Sequence, residues 1–350
     1  MREPRIGRAA GKVRAARLTD LPALGELSRL CQSDSPDTRS LGLPVSGPRI
    51  GMFSLFRLPL GAFRPNDLLF VYDNQRRLAG LVRVEREASR DEWTVVELDA
   101  IGHQDAGDIR FRLVQHLLRD GSKRGAQRFH VACADAVGNV ELFMQAGFVR
   151  YGDETLWFRP PGRALPVPWV ERQATAAGIR LAAPTDSVAL MRLYSAVTPM
   201  PVQRLEAYRL SDWERHGISL RLPRSSLAPI LRFADVETYV QAAPGGGKDG
   251  TELTALVQLG VAKEDQPHYL KIMARPEVDT APLMDFGLGV IAAATDRRDH
   301  GVLTPIRTYE GPTPGCMEEA GFEAIATVTL LLKETLVRVA EPALAPVGVR

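Results

Sequence analysis

The stretch VRAARLTD at residues 13–20 returns later in the chain as IRLAAPTD at residues 179–186. A second stretch, FMQAGF at residues 143–148, returns as CMEEAGF at residues 316–322. The first repeat is offset by 166 positions and the second by 174, so both indicate one duplication with a small insertion. A period this long indicates two copies of a whole domain rather than an array of short repeats.

The composition is that of a soluble globular protein. The chain has 350 residues, which is a typical length for two domains, with 45% hydrophobic and 25% charged residues. A net charge of +2 gives no reason to expect nucleic acid or an acidic membrane as partner. The three cysteines form no CxxC pair, so neither a disulfide framework nor a metal site is indicated. Since no apolar run approaches the ~18 residues of a membrane span, we expect a cytoplasmic protein without a membrane partner.

The domain boundaries follow from proline and charge patterns. Residues 1–12 are basic, lack an apolar core and are predicted to form a disordered tail. Four prolines between residues 160 and 168 predict a stiff linker over 160–177, because proline can neither continue a helix nor donate to a strand ladder. The first half is therefore predicted at 13–159 and the second at 178–340.

Strand and helix patterns alternate in the same order in both halves. We predict an α/β fold in which each half has a mixed, mostly antiparallel sheet flanked by helices. In the first half, strands are expected at 13–17, 68–73, 78–86, 93–101, 129–134 and 149–158. Helices are expected after the cap Thr19-Asp20, with the apolar stripe Leu21, Leu24, Leu27 and Leu30, and at 106–124 and 137–146. In the second half, strands are expected at 179–183, 235–241, 252–262, 268–274, 302–307 and 322–333, and helices at 185–196, 280–297 and 312–320. The glycine-rich segment 244–250 is predicted to be a hairpin tip.

This order resembles the GNAT superfamily of acyl-CoA N-acyltransferases. An Arg-containing first strand, a Thr-Asp-capped helix, a three-strand meander and a last helix ending in Ala-Gly-Phe carry the resemblance, over about 300 residues in two tandem domains. The resemblance implies acetyl-CoA or another acyl-CoA as co-substrate, no metal, and a small-molecule or peptide amine as acceptor. Whether the chain acts as a monomer or a homodimer stays open.

The resemblance also locates a cofactor site in the first half. GNAT enzymes hold the coenzyme A pyrophosphate on a [QR]-x-x-G-x-[GA] segment at a helix N-terminus, which aligns here with residues 105–110. Asp105, Asp108 and Arg110 replace the family's Gln/Arg, first Gly and second Gly/Ala. We expect the two carboxylates to oppose phosphate binding, or only to cap the helix, and Arg110 to contact phosphate through its side chain. The candidate cofactor-binding residues are Leu98, Ala100, Gln104, Ala106, Gly107, Asp108, Ile109 and Arg110.

The second half departs further from the pattern. Its corresponding helix entry, RPEVDTAP at residues 275–282, has two prolines and no glycine. We therefore expect this copy to bind no coenzyme A in the ordinary way.

This chain has only some of the residue types that the family uses as general acid and general base. The family's Tyr, which protonates the leaving thiolate, is replaced by Phe143 in the first half and Met317 in the second. Tyr151 and Tyr309 lie nearby but out of register; the alternatives to a role in catalysis are a strand-face aromatic for Tyr151 and a residue on the approach to a helix for Tyr309.

Glu97 and Asp99 lie on one face of the fourth strand and are the candidate catalytic bases, unless they are solvated or paired strand residues. His103 is a further candidate base, with an ordinary surface histidine as the alternative.

Two hypotheses on function remain. The first is an acyl-CoA-dependent N-acetyltransferase, with activity in the first half and the apolar segment 51–63 as a wall of its acceptor site. That segment can equally be plain core. The second hypothesis is a non-catalytic tandem protein that senses a ligand or acts as a scaffold.

Overall fold

The structure is a computed structural model that describes residues 11–33, 41, 43, 67–74, 77–87, 90–101, 106–134, 138–164, 166–243, 252–262, 266–294 and 300–335. The predicted tail up to residue 10 and the segments 51–63 and 244–250 lie outside the described residues. The first strand begins at Lys12.

The described elements follow the predicted order, with ends shifted by a few residues. The strands are β1 Lys12–Ala15, β2 Asp67–Asp73, β3 Leu78–Glu87, β4 Glu92–Ala100, β5 Arg128–Ala134, β6 Val149–Arg159, β7 Ile179–Leu181, β8 Phe233–Ala242, β9 Leu253–Ala262, β10 His268–Ala274, β11 Val302–Ile306 and β12 Glu323–Glu334. The helices are α1 Leu21–Ser33, α2 Ala106–Lys123, α3 Asn139–Gln145, α4 Glu171–Ala176, α5 Ser187–Val197, α6 Met200–Glu206, α7 Leu210–His216, α8 Ala281–Ala294 and α9 Pro314–Glu319. Sequence patterns missed the short helices α4, α6 and α7, and α4 lies within the predicted linker 160–177.

The two halves share one mixed sheet of twelve strands. Its order is β1-β2-β3-β4-β5-β12-β6-β11-β10-β9-β8-β7. The last strand of each half has therefore crossed into the other half, since β12 pairs with β5 and β6 pairs with β11. At the centre β6 and β12 pair with each other in antiparallel orientation. The boundary between the two halves in the sequence therefore does not coincide with a boundary between two sheets in the structure.

Helices cover both faces of this sheet. In the second half, Val257 and Ile272 pack in one cluster with α8, whereas Leu256 and Met273 pack in another with α5. Because neighbouring strand residues point to opposite faces, α5 and α8 lie on opposite sides. In the first half, Gly80 lets α2 approach β3 closely, since a Cβ there would lie 2.7 Å from Ile109.

The repeated opening stretch has a structural explanation. Arg14 pairs with Asp20 at 2.6 Å, and Arg180 pairs with Asp186 at 2.7 Å. Both carboxylates also accept a hydrogen bond from the backbone N–H three residues earlier, at Arg17 and at Ala183. The stretch therefore fixes the turn from the first strand into the first helix of each half. Asp186 makes no side-chain hydrogen bond to the start of the helix, so it acts through this turn and not as the predicted helix cap.

Within the part of the chain that is described, no helix is both long and apolar enough to cross a membrane.

Candidate active site

Strands β4 and β5 separate part-way along their length. Their parallel pairing runs from Glu92 and Arg128 to Val95 and Val131, while β4 continues to Ala100. At the point of separation the register of β3 and β4 shifts, which leaves Val96 as the extra residue of a bulge. A bulged residue has unpaired backbone groups, so this point offers polar backbone atoms to a ligand entering between the strands.

The helix α2 begins at Ala106, shortly after β4 ends at Ala100, and residues 102–105 between them lie outside the described residues. As at any helix start, its first N–H groups have no partner within the helix and are suited to an anion. Among the described residues, a Cβ added at Gly107 would meet no atom within 4 Å, so none of them covers the helix at this point. Asp108 is largely exposed and its carboxylate lies 2.8 Å from Arg112 Nε. Gln104, Asp105 and His103 lie outside the described residues.

Arg110 turns away from this opening. Its side chain is only 8% exposed and donates a hydrogen bond to the Asn139 side chain at the start of α3. Burial lowers the pKa of Arg110, and the charge of Asp99 on β4 opposes that effect. The guanidinium group thus lies between β4 and α3, so a contact with phosphate would require the bond to Asn139 to break.

The two candidate bases have different surroundings. The Glu97 carboxylate lies 3.0 Å from Arg83 Nε and is partly exposed, whereas Asp99 is buried. The remaining candidates on this path, Leu98, Ala100 and Ile109, have buried side chains. These three residues can therefore offer a ligand only their backbone groups.

A small cavity lies where β4 and β5 separate. Sequence reasoning noted Tyr151 only as an aromatic residue on a strand face and missed the role of the other residues that line the cavity. His130, Tyr151 and Ser226 contribute polar groups to it. Burial and the charge of Arg224 lower the pKa of His130 to about 4, against the opposing effect of Glu92. Burial raises the pKa of Tyr151. At neutral pH this cavity therefore holds a neutral imidazole and a protonated phenol, both of which can form hydrogen bonds with a ligand.

The second half supplies the charge that faces this cavity. Arg224 donates hydrogen bonds to Glu92 and, at 3.0 Å, to Thr94 Oγ1. Burial by itself would raise the pKa of Glu92, but Arg224, His130 and Arg90 hold it at about 2. Arg90 is also stacked 4.4 Å from the Tyr208 ring centre. These contacts join residues more than 100 positions apart, so the sequence carries no local signal for them.

The corresponding opening in the second half is closed. Strands β10 and β11 pair only at two positions before they separate. The buried Lys271 of β10 lies 2.8 Å from Glu310, and the Ala274 N–H donates to the Glu310 carbonyl at 2.9 Å. The chain after β11 thereby bridges the gap between the two strands.

The remaining candidates have structural roles. Phe143 and Met317 are fully buried core residues. Tyr309 accepts a hydrogen bond from Arg307 at 2.9 Å within the second half. The described residues contain no cluster of three or more His, Cys, Asp or Glu that could hold a metal ion.

Comparison with known proteins gives matches at the level of structure alone. No model of a protein family and no curated protein matches the sequence. A GCN5-related N-acetyltransferase from Sphaerobacter thermophilus is similar with a TM-score of 0.54 at 16% identity, over 93% of this chain and 96% of that one. A tandem GNAT protein from the clavulanic acid biosynthesis pathway gives a TM-score of 0.53 at 14% identity, over 93% and 98%.

A third solved structure extends the same likeness. A putative acetyltransferase from Pyrococcus horikoshii gives a TM-score of 0.50 at 12% identity, over 96% of this chain and 94% of that one. Identities this low establish the fold and nothing finer. The similarity covers nearly the whole length of this chain and of each of these three proteins. The chain therefore has the fold of the GNAT N-acetyltransferases, in two tandem copies.

Proposed function

We propose that the protein is an acyl-CoA-dependent N-acyltransferase whose active site lies in the first half. The separation of β4 and β5 carries this proposal, because a cavity that holds His130 and Tyr151 lies there and the chain leads on from β4 to the N-terminus of α2, which is suited to an anion. The corresponding opening in the second half is closed by Lys271 and Glu310.

The proposed reaction transfers an acyl group, from acetyl-CoA or another acyl-CoA, to an amine. The amine nitrogen attacks the thioester carbonyl, the C–N bond forms, the C–S bond breaks, and the thiolate leaves. Glu97 or Asp99 would take the proton of the amine, directly or through water. In the absence of the family's Tyr at position 143, the thiolate would take its proton from solvent, and the Tyr151 hydroxyl would donate a hydrogen bond to it. The phosphates would bind the backbone of Ala106 to Arg110.

Two carboxylates of α2 provide a matched test. Asp108 and Asp120 each pair with an arginine four residues later, at 2.8 and 2.7 Å, but only Asp108 lies in the first turn. A carboxylate about 4 Å from a phosphate costs ~1 kcal/mol in water and more in a partly buried site. We expect Asp108→Asn to raise acetyl-CoA affinity about tenfold in calorimetry. The Asp120→Asn control should leave it unchanged, and an equal response of both variants would place the phosphates elsewhere.

One observation favours the non-catalytic hypothesis: the Arg110 side chain is buried against Asn139 and does not extend towards a phosphate. Its bond to Asn139 ties α2 to α3 where the family has a small residue. If this side chain only ties the helices together, Arg110→Ala should lower the melting temperature and leave acetyl-CoA affinity unchanged or higher. A loss of affinity at an unchanged melting temperature would instead mean that Arg110 turns outward to the phosphate. Wild-type protein that binds neither acetyl-CoA nor longer acyl-CoAs at millimolar concentration would favour the non-catalytic hypothesis.

A further inference from the structure

A cavity of about 340 Å³ lies between the two halves, next to the small cavity at the β4–β5 separation. The first half provides one wall from β3 and β4, and the second half provides the facing wall from the segment 219–236. The two cavities share Thr94, Arg224, Ser225 and Pro229 in their linings. We call the larger one the interhalf cavity.

The interhalf cavity has opposite charges on its two walls. Glu85 and Glu87 line it from β3, and Arg221 and Arg224 line it from the second half. Arg221 Nη2 lies 3.1 Å from Glu85 Oε1, and Arg224 Nη2 lies 3.8 Å from Glu87 Oε2. The lining therefore has two negative and two positive charges, and its overall charge is balanced.

The rest of the lining is mostly apolar. Leu220, Ala228, Phe233 and Val236 surround the charged groups, and Val236 is 45% exposed at the surface. The volume is at the lower end of the ~300–1,000 Å³ that is usual for small-molecule pockets. A ligand here would thus be small and partly apolar.

Buried polar atoms without partners lie next to this space. The Oγ of Ser226, the Nε of Arg224 and the Nδ1 of His130 make no hydrogen bond with the described residues. Nearly all buried polar side-chain atoms in proteins are hydrogen-bonded to protein, water or ligand. Ser226 and His130 line the small cavity and Arg224 lines both cavities, so groups able to bind a polar ligand extend from the interhalf cavity into the small one.

We propose that the interhalf cavity binds a small zwitterion with an apolar side chain, of the size of a free amino acid. Its carboxylate would pair with Arg221, its ammonium group would pair with Glu85, and its side chain would contact Phe233 and Val236. On binding, the ion pair between Arg221 and Glu85 would be replaced by one pair between Arg221 and the ligand carboxylate and one between Glu85 and the ligand ammonium group. Each of these charges would therefore keep a partner of opposite charge. This proposal rests on the proposed function only in that the zwitterion would be the acceptor amine.

Calorimetry on the full chain tests the proposal with three probes of similar shape. L-leucine carries both charges, 3-methylbutylamine carries only the positive one, and 4-methylpentanoate carries only the negative one. We expect L-leucine to bind more tightly than either. Arg221→Gln should weaken L-leucine about tenfold, as for the loss of one charge-assisted hydrogen bond, and strengthen the amine. Glu85→Gln should also weaken L-leucine but strengthen the carboxylate.

Each variant is expected to bind one of the singly charged probes more tightly than the wild type does. Because an unfolded variant would bind no probe, this gain in affinity distinguishes the loss of a charge from a damaged fold. Arg163→Gln is the control, because Arg163 is exposed and pairs with Glu323, and neither residue lines the cavity. Absence of L-leucine binding, or affinities that neither Arg221→Gln nor Glu85→Gln changes, would overturn the proposal. Acetyl-CoA is titrated into the same samples. L-leucine binding without acetyl-CoA binding would sustain the zwitterion site and count against the acyltransferase, and the reverse result would reject the zwitterion site alone.

Discussion

Gly147 and Gly321 end the last helix of each half in the left-handed region, with φ of +87° and +85°. The residue after each glycine, Phe148 or Phe322, donates its N–H back into the helix at about the same distance, 3.0 and 2.9 Å. Such a helix end favours glycine, because a Cβ is strained at positive φ. The Gly-Phe phrase that repeats in the sequence is therefore a repeated helix end.

We expect Gly147→Val and Gly321→Val each to lower the free energy of unfolding by about 1–2 kcal/mol. Urea denaturation followed by circular dichroism measures this change. Gly152→Val is the control, since Gly152 lies in β6 without positive φ and a Cβ there meets only Leu330, at 3.9 Å. If both helix-end variants are as stable as the control, positive φ does not explain the conserved phrase within this chain.

His130 gives the stability of the protein a pH dependence. Its pKa is about 4 in the folded protein against an ordinary value of 6.5, because burial and Arg224 disfavour the charged form. The unfolded chain then binds more protons between these values, so stability should fall as the pH drops from 6.5 towards 4, with a slope up to about 1.4 kcal/mol per pH unit. We expect His130→Gln to flatten the melting temperature between pH 6.5 and 4.5. The His116→Gln variant serves for comparison, since burial also lowers the pKa of His116 and its removal should flatten the profile less. A His130→Gln profile parallel to the wild type would show that His130 titrates normally.

At the scale of the elements, β10 is held by a buried cluster of charges. Lys271 Nζ lies 2.8 Å from Glu310 and 3.8 Å from Glu154, which belongs to β6 of the first half. Removing one partner of a buried pair leaves the other charge without compensation, at a cost of about 3–5 kcal/mol. We therefore expect Lys271→Met to destabilise the protein by this amount in chemical denaturation, and Lys271→Met combined with Glu310→Gln to recover part of it.

The control is Arg163→Gln, which breaks a mostly exposed pair with Glu323 and should cost less than about 1 kcal/mol. Similar losses for Lys271→Met and Arg163→Gln would mean that water reaches Lys271.

At the scale of the whole molecule, the exchange of β6 and β12 makes the halves interdependent. The connector is the expected site of limited proteolysis, because it is rich in proline and Val167 is 85% exposed. The predicted cut leaves two fragments of similar size, but each fragment contains a strand that lies inside the other's part of the sheet. We expect the nicked protein to elute as one species in size-exclusion chromatography and to separate only in denaturant. Fragments that part under native conditions would contradict the strand exchange.

Expression of either half alone extends the same argument. The first half without β12 would expose the edge of β5, and the second without β6 would expose the edge of β11. Unpaired strand edges promote aggregation, so neither half should be a well-behaved protein by itself. Studies of the second half's contribution to binding therefore need the full chain with substitutions in the segment 219–236.

The sequence by itself determined the duplication, the order of strands and helices and the helix ends. These features depend on periodicity and turn chemistry within about twenty residues, as in the alternation of β3 or the Gly-Phe ends. It also placed Glu97 and Asp99 on one face of β4 and Gly107 at the start of α2.

Only the tertiary structure decided how the halves combine and where the polar groups meet. Arg224 reaches Glu92 across 132 positions, and Arg90 reaches Glu206 across 116. The inward turn of Arg110 and the cavity around His130 likewise depend on which elements become neighbours. An exposed or buried charge looks the same in a sequence, and its role is set by the partners that the fold brings within hydrogen-bonding distance.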